Sequence, residues 1–388
     1  MSAPGARGES GVAGLIAERA RRFGPLRFDE VVELALYSPE GFYERGGKAG
    51  RLGDFLTSPE VGPLFGVVVA RALDRWWREL GSPDPFVVVE AGAGSGTLAA
   101  SVLAAGPDCG PALRYVLVER SASLRRRQAE RLALEPAAQV LGPLGAGDPD
   151  EGPQALAGQG PLATALPALP AAAFAGVVLA NELLDNLPFR LLERTAGDGW
   201  AEVRVGEDLT EVLVPAPPAD GATATGLAPQ AAPGARIPLQ DGARAWLRSA
   251  LLCLSPGRVV VVDYADITPS LARRPWTDWL RTYRRHGRGG HPLANLGDQD
   301  VTCEVAVDQL ALVGVPVADG SQADFLRAHG LDSLADEARQ AWHGRAAIGD
   351  LQALTARSRL GEAAALADPA GLGGFRVLEW EVAGRSHR

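Results

Sequence analysis

The sequence predicts an α/β protein built on a doubly wound parallel sheet, and two observations predict it. Short β-branched runs end at Glu90, Glu119, Leu179 and Asp263 with helical patterns between them, the alternation that buries a parallel sheet between two layers of helices. The stretch VVVEAGAGSGTLAASVL, Val87 to Leu103, then passes from such a run through a glycine turn into an alanine-rich helix. Strand, glycine loop and helix together make a Rossmann-like nucleotide cradle, because the loop's backbone and the helix N-terminus can both meet a ligand.

In chain order, residues 9 to 37 carry two helical patterns separated by Gly24-Pro25. Ser38 to Gly66 is a long run of turn residues and isolated aromatics, a length that points to a functional loop. Val67 to Leu80 is an amphipathic helix leading into the strand Phe86 to Val89. Leu113 to Val118 is a second buried strand, followed by a charged helix from Leu124 to Leu134, and residues 142 to 170 give no assignment. Gly176 to Leu179 is a strand. Trp200 to Ala216 alternates as a hairpin about Gly206 to Asp208, and Pro215 to Gly234 reads as a loop. Gln240 to Leu254 is a helix, Gly257 to Ala265 a buried strand, and GFRVLEWEVAG a late antiparallel strand. The organisation expected is N-terminal helices and a lid loop over residues 1–80, then a sheet domain over 81–388 with insertions at about 200–245 and 266–330, the inserted subdomain being helical.

The charge pattern narrows the ligand. Gly94, Gly96 and Ala99 fit G-x-G-x-x-A, which admits a dinucleotide, but Glu90 at the strand's end would oppose a pyrophosphate at about 5 Å by roughly 3 kcal/mol in an effective dielectric near 20. The same carboxylate suits S-adenosylmethionine, which has no phosphate and offers an ammonium. Gly92, Gly94 and Gly96 would let that ligand approach the backbone. Glu119 ends the next strand, where a carboxylate can accept both ribose hydroxyls of a nucleoside in either case.

Composition excludes several classes. With 388 residues, 46% hydrophobic and 22% charged, the chain can bury a sizeable core. A net charge of −9 gives no overall electrostatic footprint for nucleic acid or an anionic membrane. The arginine-rich, tryptophan-bearing segment Pro275 to Leu293 is therefore read as protein-facing, with Arg284 and His291 on the surface. Cys109, Cys253 and Cys303 are far apart without a CxxC, and the five histidines lack ligand spacing, so neither disulfides nor a metal is expected. No segment reads as a membrane span, and the N-terminus has the composition of neither a secretory signal nor a transit peptide, so a cytoplasmic protein is expected.

GDFLTSPEV (Gly53 to Val61), VVVEAGAGSG (Val87 to Gly96), LANELLDNLPF (Leu179 to Phe189), VVVVDYA (Val259 to Ala265) and GDQDVTCEVAVDQL (Gly297 to Leu310) fall in the order seen in MidA-like methyltransferases, which the chain resembles over about residues 24 to 378. The resemblance implies a Rossmann-like methyltransferase sheet and S-adenosyl-L-methionine as cofactor. Mitochondrial members of that family are arginine methyltransferases that assist respiratory complex I assembly, so a protein arginine is the acceptor it implies. A small molecule, a nucleic acid, or a scaffold without turnover are the alternatives, and a homodimer is left open. Where many relatives read D-I-T-x-H-V-D-F, this chain has Asp300 to Val307 as DVTCEVAV, so no histidine role carries over.

The residues expected to act follow. Carboxylates can grip a guanidinium bidentately and leave one nitrogen facing the methyl group, and Asn181, Glu182 and Asp185 stand past a strand end where such a clamp is wanted. Their plainer role is a helix start, with Asn181 as N-cap. Asp54, Thr57, Ser58 and Glu60 on the long loop read in isolation as a capped turn, whereas the resemblance implies a lid, with Asp54 beside the acceptor and Ser58, Pro59 and Glu60 over the cofactor. Asp263 and Tyr264 either line the same cleft or form a buried cap.

Overall fold

The computed structural model describes residues 11–46, 57–142, 157–197, 199–284 and 287–384. Asp54 and the rest of the GDFL stretch, residues 53–56, lie outside the described residues.

Seven strands form the central sheet: β1 (Phe86–Ala91), β2 (Leu113–Val118), β3 (Leu162–Leu166), β4 (Phe174–Asn181), β5 (Leu254–Asp263), β6 (Ala318–Ser321) and β7 (Arg376–Val382), in the spatial order β6-β7-β5-β4-β1-β2-β3. β1 to β5 run parallel, while β7 is antiparallel to β5 and β6 antiparallel to β7. The strand order reverses between β1 and β4, and a ligand crevice belongs at that switch point, beyond the strands' carboxyl ends.

β1 is buried along its whole length because helices cover both faces of the sheet. Side chains alternate between the two layers. Phe86 and Val88 join Phe65, Trp76 and Leu98 in one core, while Val87 and Val89 join Val178, Leu247 and Trp380 in the other. The period of two sends Glu90 to the same face as Val88, a fact that decides its partner below.

A third core lies apart from the sheet. The helices Val12–Phe23 and Phe28–Tyr37 pack Ile16, Phe28 and Leu36 against Phe189, Leu191, Val203 and Trp279. Their platform is a five-stranded antiparallel sheet made mostly by the chain between β4 and β5, joined by Leu26–Arg27, which pairs with Trp200–Val205. The hairpin expected at 200–216 is present as Trp200–Val205 paired with Glu211–Pro215. The loop expected over Pro215 to Gly234 instead contains a helix, Pro218–Leu227, with Pro218 in its first turn, Ala224 buried and Thr225 accepting the Trp200 indole N–H at 3.1 Å. Pro starts a helix without cost and Ala favours one, so the composition that reads as a loop also permits this. Residues without an assignment supply β3 and the paired helices Leu331–Arg345 and Leu351–Ala367.

The closest backbone approach at the centre of the sheet is at Gly176 in β4, where an added Cβ would fall 1.8 Å from the Val87 carbonyl oxygen. Backbone cannot yield as a flexible side chain can. Gly176→Ala is therefore expected to cost on the order of 3 kcal/mol or more, or to prevent folding, as chemical denaturation of the purified variant would show.

Candidate active site

The glycine loop is pinned from several sides. Gly92 and Ala93 donate their N–H groups to Val118 O at 2.9 and 3.1 Å, which ties the loop to the end of β2. Gly92, Gly94 and Gly96 all have positive φ, +69°, +53° and +79°, and Gly96 precedes the helix Thr97–Ala104. Glu119 Oε2 accepts the Gly94 N–H at 3.0 Å and Oε1 the Ser121 N–H at 2.8 Å. Burial raises the Glu119 carboxyl above the ordinary range, an effect that those backbone donors reduce.

Glu90 takes the opposite course. On its face of the sheet it meets Tyr115, whose hydroxyl donates to Oε2 at 2.7 Å. Glu90 is only 5% exposed, and burial pushes its carboxyl up to about 8 despite that donor. It keeps its proton at neutral pH unless a cation comes beside it, as the ammonium of an amino-acid ligand would.

The second half of the site is built on β4. Glu182 follows the strand with φ +50°, a conformation uncommon for a residue with a side chain. Its N–H bonds Val262 O at 2.8 Å, and its Oε1 accepts from Ser58 N and Asn181 Nδ2, both at 3.3 Å. Asp263, ending β5, accepts the N–H groups of Leu184, Asp185 and Tyr264, so it is the buried cap of the turn after β4. Desolvation pushes Glu182 up to about 8 and Asp263 to about 7; it raises Asp185 as well, with the Asp263 and Asp300 charges adding to the effect. Asn186 donates to Asp300 Oδ1 at 3.0 Å and accepts the Tyr43 hydroxyl at 2.9 Å, joining the N-terminal helices to this cluster.

A cavity of about 660 Å³ runs between these halves. Pro59, Glu60, Glu90, Gly92, Gly94, Glu119, Asn181 and Glu182 all line it. Ser58, Gly96 and Asp185 do not: Ser58 is fully buried with its hydroxyl on Gln322, Gly96 packs its Cα beside Leu117, and Asp185 sits behind the wall, its Oδ1 without a hydrogen-bond partner among the described residues. Glu60 accepts the Thr97 hydroxyl at 2.7 Å, which fastens the Ser58–Val61 helix to the start of the helix after the glycine loop. His291 lies away from the cavity, 3.5 Å from Glu211 and edge-on to Trp276. Glu304, where the resemblance expects histidine, pairs with Arg274 and Arg281.

The arrangement fits a nucleoside carrying an amino acid. A side chain at Gly94 would meet no protein atom within 4 Å, so the backbone there can be approached closely. Asn181 Oδ1 is buried without a partner among the described residues, at the cavity wall. Glu90 and Glu119 both line the cavity beside the glycine loop. A fold and cavity of this kind define a nucleoside-cofactor enzyme of the doubly wound α/β class.

Comparison with known proteins makes the class specific. Residues 68–320 match the model of a family described as S-adenosyl-L-methionine-dependent methyltransferases, and the chain belongs to that family. A protein from Burkholderia thailandensis solved with S-adenosyl-homocysteine bound is 29% identical, with a TM-score of 0.75 over 98% of this chain and 95% of that one. The protein arginine methyltransferase NDUFAF7 homolog, mitochondrial, of Drosophila melanogaster is 46% identical over 81 residues, 21% of this chain and 18% of its own length. Human protein arginine methyltransferase NDUFAF7, mitochondrial, is 33% identical over 118 residues, 29% of this chain and 27% of its own. The chain thus matches about a quarter or less of the curated relatives' length. The protein is a methyltransferase with a Rossmann-like fold, and S-adenosyl-L-methionine is its cofactor. The expectation of a cytoplasmic protein is overturned, because these curated relatives are named as mitochondrial; composition at the N-terminus carries little information about compartment. Among the described residues no cluster of His, Cys, Asp or Glu could hold a metal, and no helix is long and apolar enough to cross a membrane.

Two outcomes follow. Glu119→Ala removes the acceptor that orders Gly94 and should weaken S-adenosylhomocysteine binding about tenfold or more in calorimetry, the equivalent of one charge-assisted hydrogen bond. Glu90, Glu182 and Asp263 all hold protons more tightly folded than unfolded, so their contribution to stability is full below the ordinary carboxylate range and is lost as pH rises through 7 to 8. The unfolding temperature of the ligand-free protein is expected to fall as pH rises from the ordinary carboxylate range to about 8, and Glu90→Gln to flatten that fall.

Proposed function

We propose that the protein methylates an arginine side chain of a protein, with Glu182 as the group that receives the guanidinium. The observation that carries this is the state of Glu182 at the cavity wall. Both of its side-chain hydrogen bonds use Oε1, and among the described residues nothing bonds Oε2. Burial raises the cost of its ionisation, and the Asp263 and Asp300 charges add to it. A carboxyl in that position calls for a cation, and a planar guanidinium meets it with two parallel donors.

The cofactor supplies a methyl group activated by its sulfonium. Glu90 and Glu119 hold the amino-acid and ribose ends in this account, and the Ser58–Val61 helix covers them. Glu182 orients the guanidinium, and because its carboxyl titrates near neutrality it can take the proton that the methylated nitrogen must lose. Burial, with the Asp263 charge beside it, keeps Glu182 from ionising until the acceptor arrives. The names of the arginine methyltransferase relatives support a protein acceptor over a small molecule or a nucleic acid.

Glu182→Gln keeps one acceptor oxygen and loses the site for the proton. Methyl transfer from tritiated cofactor to lysate protein should fall roughly a hundredfold or more, with S-adenosylhomocysteine affinity retained. Acid hydrolysis of the wild-type product should release labelled methylarginine. Label that resists protease and yields to nuclease would overturn the acceptor, and full turnover by a folded Glu182→Gln would overturn the role of Glu182.

A further inference from the structure

Two buried side chains from the far end of the chain hold the Ser58–Val61 helix from behind. Gln322 is fully buried, with Oε1 accepting the Ser58 hydroxyl at 2.9 Å and Nε2 donating to Leu366 O at 3.3 Å. Glu362, in the helix Leu351–Ala367, accepts the Leu64 N–H on Oε2 and the Ser358 hydroxyl on Oε1, both at 3.0 Å. Gly62 lies between the anchors. A Cβ there would fall 2.3 Å from Glu362 Cδ, yet its φ of 165° is extended backbone open to any residue. What excludes a side chain at 62 is therefore the carboxyl group.

The other side of the same short helix is the cavity wall. Pro59 and Glu60 line the cavity, Glu60 bonds Thr97, and the Ser58 N–H donates to Glu182. A four-residue helix has no stability of its own, so its place must come from its anchors. Removing either anchor leaves a buried donor unpaired, the Ser58 hydroxyl or the Leu64 N–H, and a shift of the segment into water satisfies it.

We infer that Gln322 and Glu362 are positioning residues of the methyltransferase site, holding Ser58 to Glu60 closed over the glycine loop without touching cofactor or acceptor. This rests on the cofactor assignment and is independent of the acceptor's identity. Both anchors come from the C-terminal part of the chain, so the strength of cofactor retention is set there.

The test measures affinity and dissociation rate of S-adenosylhomocysteine on the full chain. Glu362→Ala and Gly62→Ala should each weaken binding about tenfold through faster dissociation, the equivalent of one charge-assisted hydrogen bond, while Glu362→Gln, which still offers Leu64 an oxygen, should stay near wild type. Asp350→Ala is the control for general loosening of that helix, since Asp350 caps it by accepting the Ala353 N–H at 3.0 Å. It should lower the unfolding temperature and keep the affinity. Unchanged affinity in folded Gly62→Ala, or an equal loss in Asp350→Ala, overturns the inference, and Gly62→Ala decides it if Glu362→Ala does not fold. A wild-type chain that does not bind S-adenosylhomocysteine would instead overturn the cofactor assignment itself.

Discussion

A carboxyl group taken out of water must collect donors or keep its proton, and four strands of this sheet end on that choice. Glu119 collects backbone N–H groups and in doing so shapes the glycine loop. Asp263 collects three and fixes the turn after β4. Glu90 and Glu182 are given too few donors and hold protons that they yield only to a cation. Each solution positions a different part of the site. The acids that order backbone and those that stay poised for ligand are the same residue types.

Around that row of acids the remaining layers act as walls. The N-terminal helices reach the cluster through Tyr43 and Asn186, yet their own core is on the inserted antiparallel sheet. One wall of the cavity is thus carried by a core that shares little with the central sheet.

The cofactor half was the more legible in sequence, because it depends on local order: apolar strand, acid, glycines, helix. Glu90, Gly92, Gly94 and Glu119 follow from that order alone. Tyr115 and Gln128 do not, although Tyr115 was recoverable in principle, since Glu90 registers opposite Leu117 and the period of two puts Tyr115 on the same face. Gln128, fully buried with its amide on Gly94 O, gives no signal within a charged helix. The half of the cavity built on β4 depends on contacts across the chain. LANELLDNLPF announces Asn181, Glu182 and Asp185 but cannot tell that Asp185 faces backward, nor that Asn186 is the residue bonded to Asp300. The helix in Pro215 to Gly234 was hidden by proline, which also serves at helix starts, and by interior glycines.

The anchors of the Ser58–Val61 helix stand 264 and 298 residues further along the chain than the groups they bind. During synthesis the glycine loop, its acids and most of the parallel sheet emerge first, and closure of such distant contacts is among the slowest events in folding. A nascent chain can therefore own a formed cradle well before it has a means of covering it. The contacts of Gln322 and Glu362 behind that helix form only when the later helices have docked.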